Sequence, residues 1–149
     1  AHNPDKAAAL ASALEAHKSG RRLALVLGVL GYKAADGIVN ELTPVADLVV
    51  ATEPSVDMKM ALPANDLGRM ARSTGVEVTV RPDPLEALDH AVGWSGPDGL
   101  VCVTGSLYLV GGVRERWYPS SAINVQRTVY PTFPDHASFP ASVGRDHLG

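Results

Sequence analysis

Short apolar runs alternate with segments of helical periodicity along most of the chain. The run at residues 23–27 is almost wholly apolar, which is typical of a strand covered on both faces in the middle of a parallel sheet. We predict that this strand covers residues 21–30. Comparable runs predict strands at 47–52 and 76–80, and a fourth strand, buried on both faces, at 101–104.

Helix-start signals lie between the predicted strands. Asn3 and Pro4 combine an N-cap side chain with a proline at the first helical position, and they predict a helix that runs to about Lys18. Asp83 and Pro84 repeat this signal before a later helix. The other helices are predicted over residues 34–42, from Pro63 onward and after Ser106. In the helix that starts at Pro63, the inward-facing side chains are predicted to be Leu67, Met70 and Ala71. In the helix that starts at Asp83, the side chains predicted to face the sheet are Leu85, Leu88, Ala91 and Val92.

The predicted elements follow one another as α-β-α-β-α-β-α-β-α. Strands that alternate with helices favour a mainly parallel sheet between two layers of helices. The sequence therefore predicts an α/β fold, a three-layer αβα sandwich, over residues 1–117. Residues 118–149 contain four prolines and no helical period, and they are predicted to be an extended C-terminal tail, either disordered or with one edge strand. The alternation that suggests this strand involves Ile123, Val125, Arg127 and Val129.

Composition narrows the class of protein. Hydrophobic residues make up 46% of the chain and the net charge is −3. No basic stripe with interleaved aromatic residues indicates nucleic acid, and no apolar run reaches the roughly 18 residues of a membrane-spanning helix. We therefore predict neither nucleic acid nor a membrane as a partner. The single cysteine, Cys102, excludes an internal disulfide and fits a reducing, cytoplasmic setting, where we expect it to be a core residue.

Three turns carry candidate chemistry. In an open α/β sheet, ligands bind beyond the carboxyl ends of the strands, where helix starts also favour anions. Lys33 follows the first strand and can place an ammonium group against a carboxylate, while Ser106 follows the last strand and can donate a hydrogen bond to it. His2 and Asn3 can orient the same group from the first helix start. The alternatives are a solvated lysine, an ordinary strand–helix turn and a frayed terminus, and spacing alone leaves them open.

Other kinds of site are excluded by residue spacing. The remaining histidines stand singly, so no metal site is predicted. The carboxylates form no pair that suggests acid–base catalysis, and no catalytic residue is predicted. The chain contains neither a GxxxxGKS/T phosphate loop nor a dinucleotide-binding fingerprint. A self-sufficient nucleotide-hydrolysing enzyme is therefore excluded.

Five motifs occur in a particular order. AHNPD stands at residues 1–5, GVLGYK at 28–33, TEP at 52–54, ALP at 61–63 and TGSLYLVG at 104–111. In this order they resemble the C-terminal domain of folylpolyglutamate synthase/dihydrofolate synthase, which belongs to the Mur ligase family. The resemblance extends to about Arg116, and TGSLYLVG is its most specific part.

The resemblance implies a Rossmann-like domain that closes over an N-terminal ATPase domain. The whole enzyme would use ATP and Mg²⁺ to convert a folate or pteroate carboxylate to an acyl phosphate, which the amine of L-glutamate then attacks. Carried over by motif, His2, Lys33 and Ser106 would bind glutamate, Tyr108 would line its site, and Asn3 would contact the nucleotide. ATP and folate or dihydropteroate would be held largely by the N-terminal domain, so no cofactor is expected to bind tightly to this domain alone.

The chain departs from the family pattern at three points. The Asp-Gly that usually precedes AHNP is missing, the usual Asp-Lys-Asp of the second turn is Tyr32-Lys33-Ala34, and the usual Arg before ALP is Met60, with Lys59 beside it. These changes concern nucleotide contact and domain closure, not the fold. Because the phosphate loop is missing, the 149 residues are expected to be an inactive, excised domain. The alternative hypothesis is a non-enzymatic Rossmann-like module that binds a small anion or a protein partner.

Overall fold

The computed structural model describes residues 1–56 and 60–117. Helices and strands alternate throughout these ranges, in the order predicted from the sequence. The helices are α1 (Pro4–Lys18), α2 (Ala35–Leu42), α3 (Ala64–Arg72), α4 (Pro84–Ser95) and α5 (Leu107–Arg114), with a short 3₁₀ turn at Thr43–Val45, and the strands are β1 (Leu23–Leu27), β2 (Leu48–Ala51), β3 (Glu77–Val80) and β4 (Leu100–Thr104).

The four strands form one parallel sheet in the order β3-β2-β1-β4. Leu27 pairs with Ala51 on one side and with Thr104 on the other, so the carboxyl ends of these strands lie side by side. The chain moves outward from β1 to β2 and β3, and then crosses back to β4 on the other side of β1. In open α/β sheets, such a reversal of direction opens a ligand crevice at the carboxyl ends of the strands, here between β1 and β4.

Alternate side chains of β1 face opposite helical layers. Leu25 and Leu27 belong to the core cluster that contains residues of α1, α2 and α3. Ala24 and Val26 face the other way, into the cluster that contains residues of α4. The α5 helix joins α4 on that side of the sheet through Leu88, Leu109 and Val113. The predicted three-layer α/β fold is confirmed, and every pair of strands in the described sheet is parallel.

Both predicted helix starts are confirmed. The Asn3 side chain accepts a hydrogen bond from the Lys6 N–H at 2.8 Å, with Pro4 at the first helical position. The Asp83 side chain accepts from two backbone N–H groups at the start of α4, each at 2.9 Å. An N-cap of this kind satisfies backbone donors that have no partner inside the helix.

The predicted apolar face of α4 was wrong at its two ends. Leu85 and Val92 are 41% and 50% exposed. Ala87 and Ala91 pack with Ala24 and Val26 of β1. Leu85 and Val92 are seven residues apart and so share one side of the helix, which lies on the flank of the buried stripe. The buried residues of α4 are Ala87, Leu88, Ala91 and Ser95.

The burial of β1 and β4 follows from their positions in the sheet. All five side chains of β1 are buried, as the sequence predicted for a central strand. The prediction that β4 is covered on both faces is confirmed in part. Cys102 packs against the core cluster on one face, and Val101 and Val103 pack against those on the other, but Leu100 and the next three residues are only half-buried. In the described part of the chain β4 has a neighbour on one side only. Cys102 on this strand packs against the cluster on the α1 side, and burial raises the pKa of its thiol, as suits a core residue.

The predicted tail at 118–149 and the residue Lys59 lie outside the described residues. The division into a domain at 1–117 and a tail at 118–149 therefore stays a prediction. The same holds for the edge strand suggested by the alternation over residues 123–129. No helix in the described ranges is both long enough and apolar enough to cross a membrane.

A polar cluster holds the amino-terminal edge of the sheet. Asp47 Oδ2 accepts from the Leu23 N–H at 2.8 Å and lies 2.9 Å from Lys18 Nζ. Lys18 also donates to the Val45 carbonyl at 3.1 Å. Partial burial opposes ionisation of Asp47, but the hydrogen bond from Leu23 and the Lys18 ammonium outweigh it and lower the pKa of the carboxyl. The cluster ties the end of α1 to the starts of β1 and β2.

Replacing Asp47 with asparagine tests this cluster. The folded-state pKa of Asp47 is lower than its unfolded value of 3.8, so its charge stabilises the fold above that pH and the contribution is lost as the pH falls through the folded-state pKa. We expect Asp47→Asn to lower the free energy of unfolding by about 1 kcal/mol or less near neutral pH, since the carboxylate is partly exposed to solvent. Urea titrations should show the difference from wild type shrinking as the pH falls below 3.8 and through the folded-state pKa. Asp98→Asn, in an exposed turn, should change little at neutral or at acidic pH.

Candidate functional site

The chain leaves the sheet immediately after Leu27, earlier than predicted. The Gly28 N–H donates to the Thr104 carbonyl at 3.2 Å, and the Val29 carbonyl accepts from the Leu62 N–H at 2.8 Å. Leu30 then forms an isolated antiparallel bridge with Ala61. These bonds direct residues 28–30 across the carboxyl edge, so that they form one side of the crevice between β1 and β4.

The turn after β4 forms the other side of the crevice and requires glycine. Gly105 has a φ of +106°, in the left-handed region, and a Cβ added there would lie 2.4 Å from the Gly28 carbonyl oxygen. The two turns are therefore in direct backbone contact. Ser106 follows as the N-cap of α5, and its Oγ accepts from the Tyr108 N–H at 3.1 Å. A side chain larger than hydrogen at residue 105 would push the two turns apart.

The start of α1 lies against the end of β4. The Ala1 backbone nitrogen is 2.5 Å from Thr104 Oγ1, and Asn3 caps the helix two residues later. Because the helices run antiparallel to the strands, the N-termini of α1 and α5 reach the same edge of the sheet. Helix N-termini carry partial positive charge and favour an anionic ligand.

These three segments enclose a cavity of about 270 Å³. Its polar groups come from His2, Ser106 and Tyr108. Its walls are otherwise mostly apolar side chains and the backbone of the turn, from Val29, Leu30, Ala34, Gly105 and Leu107. Pockets for drug-sized ligands span roughly 300–1,000 Å³, so a cavity of this size suits a ligand as small as an amino acid.

The structure brings three of the predicted site residues together and leaves two apart. His2, Ser106 and Tyr108 line the same cavity, whereas Lys33 and Asn3 do not. Lys33 is exposed in the loop between Leu30 and Ala34, both of which do line it. The amide oxygen of Asn3 is engaged in capping α1, which leaves its NH₂ group as the part available to a ligand. Lys33 therefore flanks the cavity from its rim.

Ser106 caps α5 through its side-chain oxygen and also lines the cavity. Its side chain is almost completely buried, at 4% exposure, yet it borders the cavity. A hydroxyl oxygen that accepts from a backbone N–H can still donate its own hydrogen. Ser106 can therefore cap α5 and hold a ligand oxygen at the same time.

The TEP and ALP motifs support the site without lining it. The Thr52 hydroxyl donates to the Pro82 carbonyl at 2.9 Å, and the Glu53 carboxylate accepts from the Ala64 N–H at 3.0 Å. Glu53 thus caps α3, whose own N-cap residue, Pro63, makes no side-chain cap. The motifs hold the loops after β2 and before α3 in place beside the turn at Gly28.

Sequence reasoning missed the apolar walls of the cavity. Val29, Leu30 and Ala34 lie inside or beside the GVLGYK motif, and Leu107 follows TGS directly. Their positions in or beside the motifs could have pointed to the cavity, but an apolar side chain gives no chemical reason to predict that a residue binds a ligand. The contact between Tyr32 and Asp66 across the carboxyl edge was also missed, since these residues are 34 positions apart.

The fold and the cavity define a doubly wound α/β domain with a small pocket at its switch point. A family model described as Mur ligase, glutamate ligase domain, matches residues 1–107. The match includes every strand of the described sheet and the turn at Ser106. The chain belongs to the Mur ligase family, as its glutamate ligase domain. This confirms the resemblance found in the motifs.

Solved structures of folylpolyglutamate synthases share the fold. Mycobacterium tuberculosis folylpolyglutamate synthase complexed with ADP and AMPPCP has a TM-score of 0.70 at 34% identity, covering 79% of this chain and 28% of that one. Escherichia coli FolC in complex with DHPP and ADP has a TM-score of 0.68 at 23% identity, covering 85% and 28%. The Yersinia pestis bifunctional folylpolyglutamate synthase/dihydrofolate synthase with Mn, AMPPNP and L-glutamate bound has a TM-score of 0.67 at 24% identity, covering 78% and 27%.

The chain thus spans little more than a quarter of the length of these structures. At the two lower identities the likeness concerns the fold alone. No curated protein sequence matches the chain at a significant level.

Replacing Gly105 with alanine tests the contact between the two turns. Alanine would have to adopt a φ of +106° and place its Cβ against the Gly28 carbonyl. We expect a loss of about 3 kcal/mol in the free energy of unfolding. Gly111→Ala is the matched control, because a Cβ there meets nothing within 4 Å and alanine favours a helix by up to about 1 kcal/mol. Thermal or urea unfolding in which the two variants behaved alike would contradict the assignment.

Replacing Glu53 with alanine tests the cap on α3. Loss of the carboxylate leaves the Ala64 N–H without its partner, and we expect the free energy of unfolding to fall by about 1 kcal/mol. Glu53→Gln keeps an acceptor oxygen and should recover most of the loss. Urea denaturation measures both variants, and an equal loss in the two would indicate that charge matters here more than the cap.

Proposed function

We propose that this chain is the C-terminal, substrate-binding domain of an ATP-dependent ligase that joins L-glutamate to a folate or pteroate carboxylate. The observation that carries the proposal is the convergence of His2, Ser106 and Tyr108 on one small cavity in a domain of the Mur ligase family. The 34% identity to a folylpolyglutamate synthase supports folates as the substrate class. The matching family model, described as a glutamate ligase domain, supports glutamate as the amino acid.

The cavity would bind glutamate through its carboxylates. Ser106 would donate its hydroxyl hydrogen to one carboxylate oxygen, and a ring nitrogen of His2 would donate to the same group. The N-termini of α1 and α5 add favourable partial charge at this edge. Tyr108 would form part of the wall, and the Lys33 ammonium would approach a carboxylate from the rim. Apolar neighbours such as Val29 exclude water and so strengthen these polar contacts.

The role of the domain would be to position the nucleophile. ATP, with Mg²⁺ bound to its phosphates, would supply the phosphoryl group that activates the folate carboxylate. The glutamate nitrogen then forms a C–N bond to the activated carbonyl carbon, the C–O bond to phosphate breaks, and the amine loses a proton. Holding the amine close to that carbon supplies a large effective concentration, which is the contribution expected from a domain with no predicted catalytic residue.

Among the described residues, Asn3 is placed to make a single contact to the nucleotide, and no group of side chains is placed to bind a metal ion. The free NH₂ of Asn3 could meet a nucleotide oxygen at the start of α1, as the sequence predicted. No three His, Cys, Asp or Glu side chains within residues 1–56 and 60–117 cluster closely enough to hold a metal ion. As the resemblance implies, we propose that Mg²⁺, most of the ATP and the folate are held by the N-terminal domain of the whole enzyme. A cytoplasmic setting completes the proposal, supported by the unpaired Cys102 thiol.

The whole enzyme that carries this domain provides the test. Formation of glutamylated product from ATP, Mg²⁺, L-glutamate and dihydropteroate or a folate should be measured for wild type and Ser106→Ala. Loss of a hydrogen bond to a charged ligand should raise the KM for glutamate about ten-fold or more. The KM for ATP should change much less, because the nucleotide lies mainly on the other domain.

A matched control separates binding from stability. Ser106→Ala also removes the N-cap of α5, so Asp83→Ala, which removes the N-cap of α4, should cost similar stability without raising the KM for glutamate. A wild-type enzyme that does not consume glutamate would contradict the proposal outright. Calorimetric titration of the 149-residue chain should show at most millimolar affinity for glutamate or ATP, and micromolar affinity for an unrelated ligand would also count against it.

A further inference from the structure

The loop at residues 31–34 is fixed at both ends beside the cavity. Leu30, just before it, bridges Ala61, and Ala34, at its end, packs against the core cluster on the α1 side. Both of these residues line the cavity. Between them, Tyr32 and Lys33 both project exposed side chains. The conformation of this short segment decides where the Lys33 ammonium can reach.

Tyr32 ties this loop to a second element. Its hydroxyl donates to Asp66 Oδ2 at 2.5 Å, and Asp66 lies in the first turn of α3. The other carboxylate oxygen of Asp66 pairs with Arg69, so both oxygens are engaged. The buried Leu67 next in sequence keeps this turn of α3 fixed in the core. The pKa of Tyr32 is raised, chiefly because its phenol donates to Asp66, so the bond persists through the neutral range.

Tyr32 contributes little to the hydrophobic core, so burial gives no reason for a tyrosine at this position. Its side chain is 58% exposed, and an exposed hydrogen bond contributes little to stability. Lys33, by contrast, makes no hydrogen bond or ion pair with any residue in the described part of the chain. The backbone is therefore held on one side of Lys33 by Tyr32 and on the other by α2, while the ammonium stays available to a ligand.

We propose that Tyr32 is a positioning residue for substrate binding, which acts by anchoring the loop of Lys33 to Asp66 on α3. The inference rests on the proposed function, because it gives Lys33 a carboxylate of glutamate to meet. The bond restricts the loop before the substrate arrives, so less conformational freedom is lost on binding. Its effect belongs to the affinity for glutamate and not to the bond-forming step.

Tyr32→Phe in the whole enzyme is the central experiment. It removes the hydroxyl and keeps the ring. We expect the KM for glutamate to rise roughly three- to ten-fold, with kcat at saturating glutamate changed less than about two-fold. Asp66→Ala should produce the same change, and the double variant should add little to either single one, because both remove the same bond. Asp66→Asn keeps an acceptor for the phenol and should restore most of the affinity.

Amide hydrogen exchange on the 149-residue chain gives a readout that does not depend on the substrate. Tyr32→Phe should speed exchange of the Ala35 amide, which donates to the Tyr32 carbonyl at 3.2 Å, several-fold. Asp89→Asn, which breaks the ion pair with Arg116 on the opposite side of the sheet, should leave the exchange of that amide unchanged. Unchanged exchange in Tyr32→Phe would overturn the anchor whatever the substrate is. Faster exchange with an unchanged KM for glutamate would overturn its role in binding. Failure of the proposed function itself would be visible earlier, as a wild-type enzyme that does not consume glutamate.

Discussion

The close contact between the turns after β1 and β4 is the constraint on which the site depends. The Gly28 carbonyl occupies the space where a side chain at Gly105 would lie, so two backbones meet with nothing between them. This contact brings residues 28–30 and the cap at Ser106 to opposite sides of one narrow crevice. The Ala1 nitrogen reaches Thr104 from a third direction and brings His2 to the same place. A looser packing of the two turns would leave the same residues without a shared cavity.

The two edges of the sheet have different tasks. At the amino-terminal edge, Asp47 and Lys18 form a pair reinforced by backbone hydrogen bonds, which stabilises the junction of α1 with the sheet. At the carboxyl edge, polar groups are turned toward a cavity, and supporting residues such as Glu53 stand behind it. The residues that line the cavity are thus mostly different from those that make structural side-chain bonds, whereas Ser106 does both.

The difference between the two edges of the sheet fits a domain of the Mur ligase family. The domain spans about a quarter of the length of its solved relatives, and its cavity of about 270 Å³ has room for one small molecule. Tyr32 stands where the resemblance implies an acidic residue before Lys33, and in the structure this tyrosine has an acidic partner, Asp66, on α3. The departure from the family pattern is therefore accompanied by a contact that keeps the loop in order.

The sequence by itself determined the succession of helices and strands, the caps at Asn3 and Asp83, and the central position of β1. These features depend on local propensity and on apolar periodicity, which a single segment displays. Only the tertiary structure decided that Leu85 and Val92 face outward, since α4 has two overlapping apolar stripes and its packing on the sheet selects the one that contains Ala87 and Ala91. It also decided which candidate residues meet: His2 and Ser106 border one cavity, whereas Lys33 stays at the rim. Such distances are set by strand order and by backbone contacts between segments far apart in the chain, which no local pattern records.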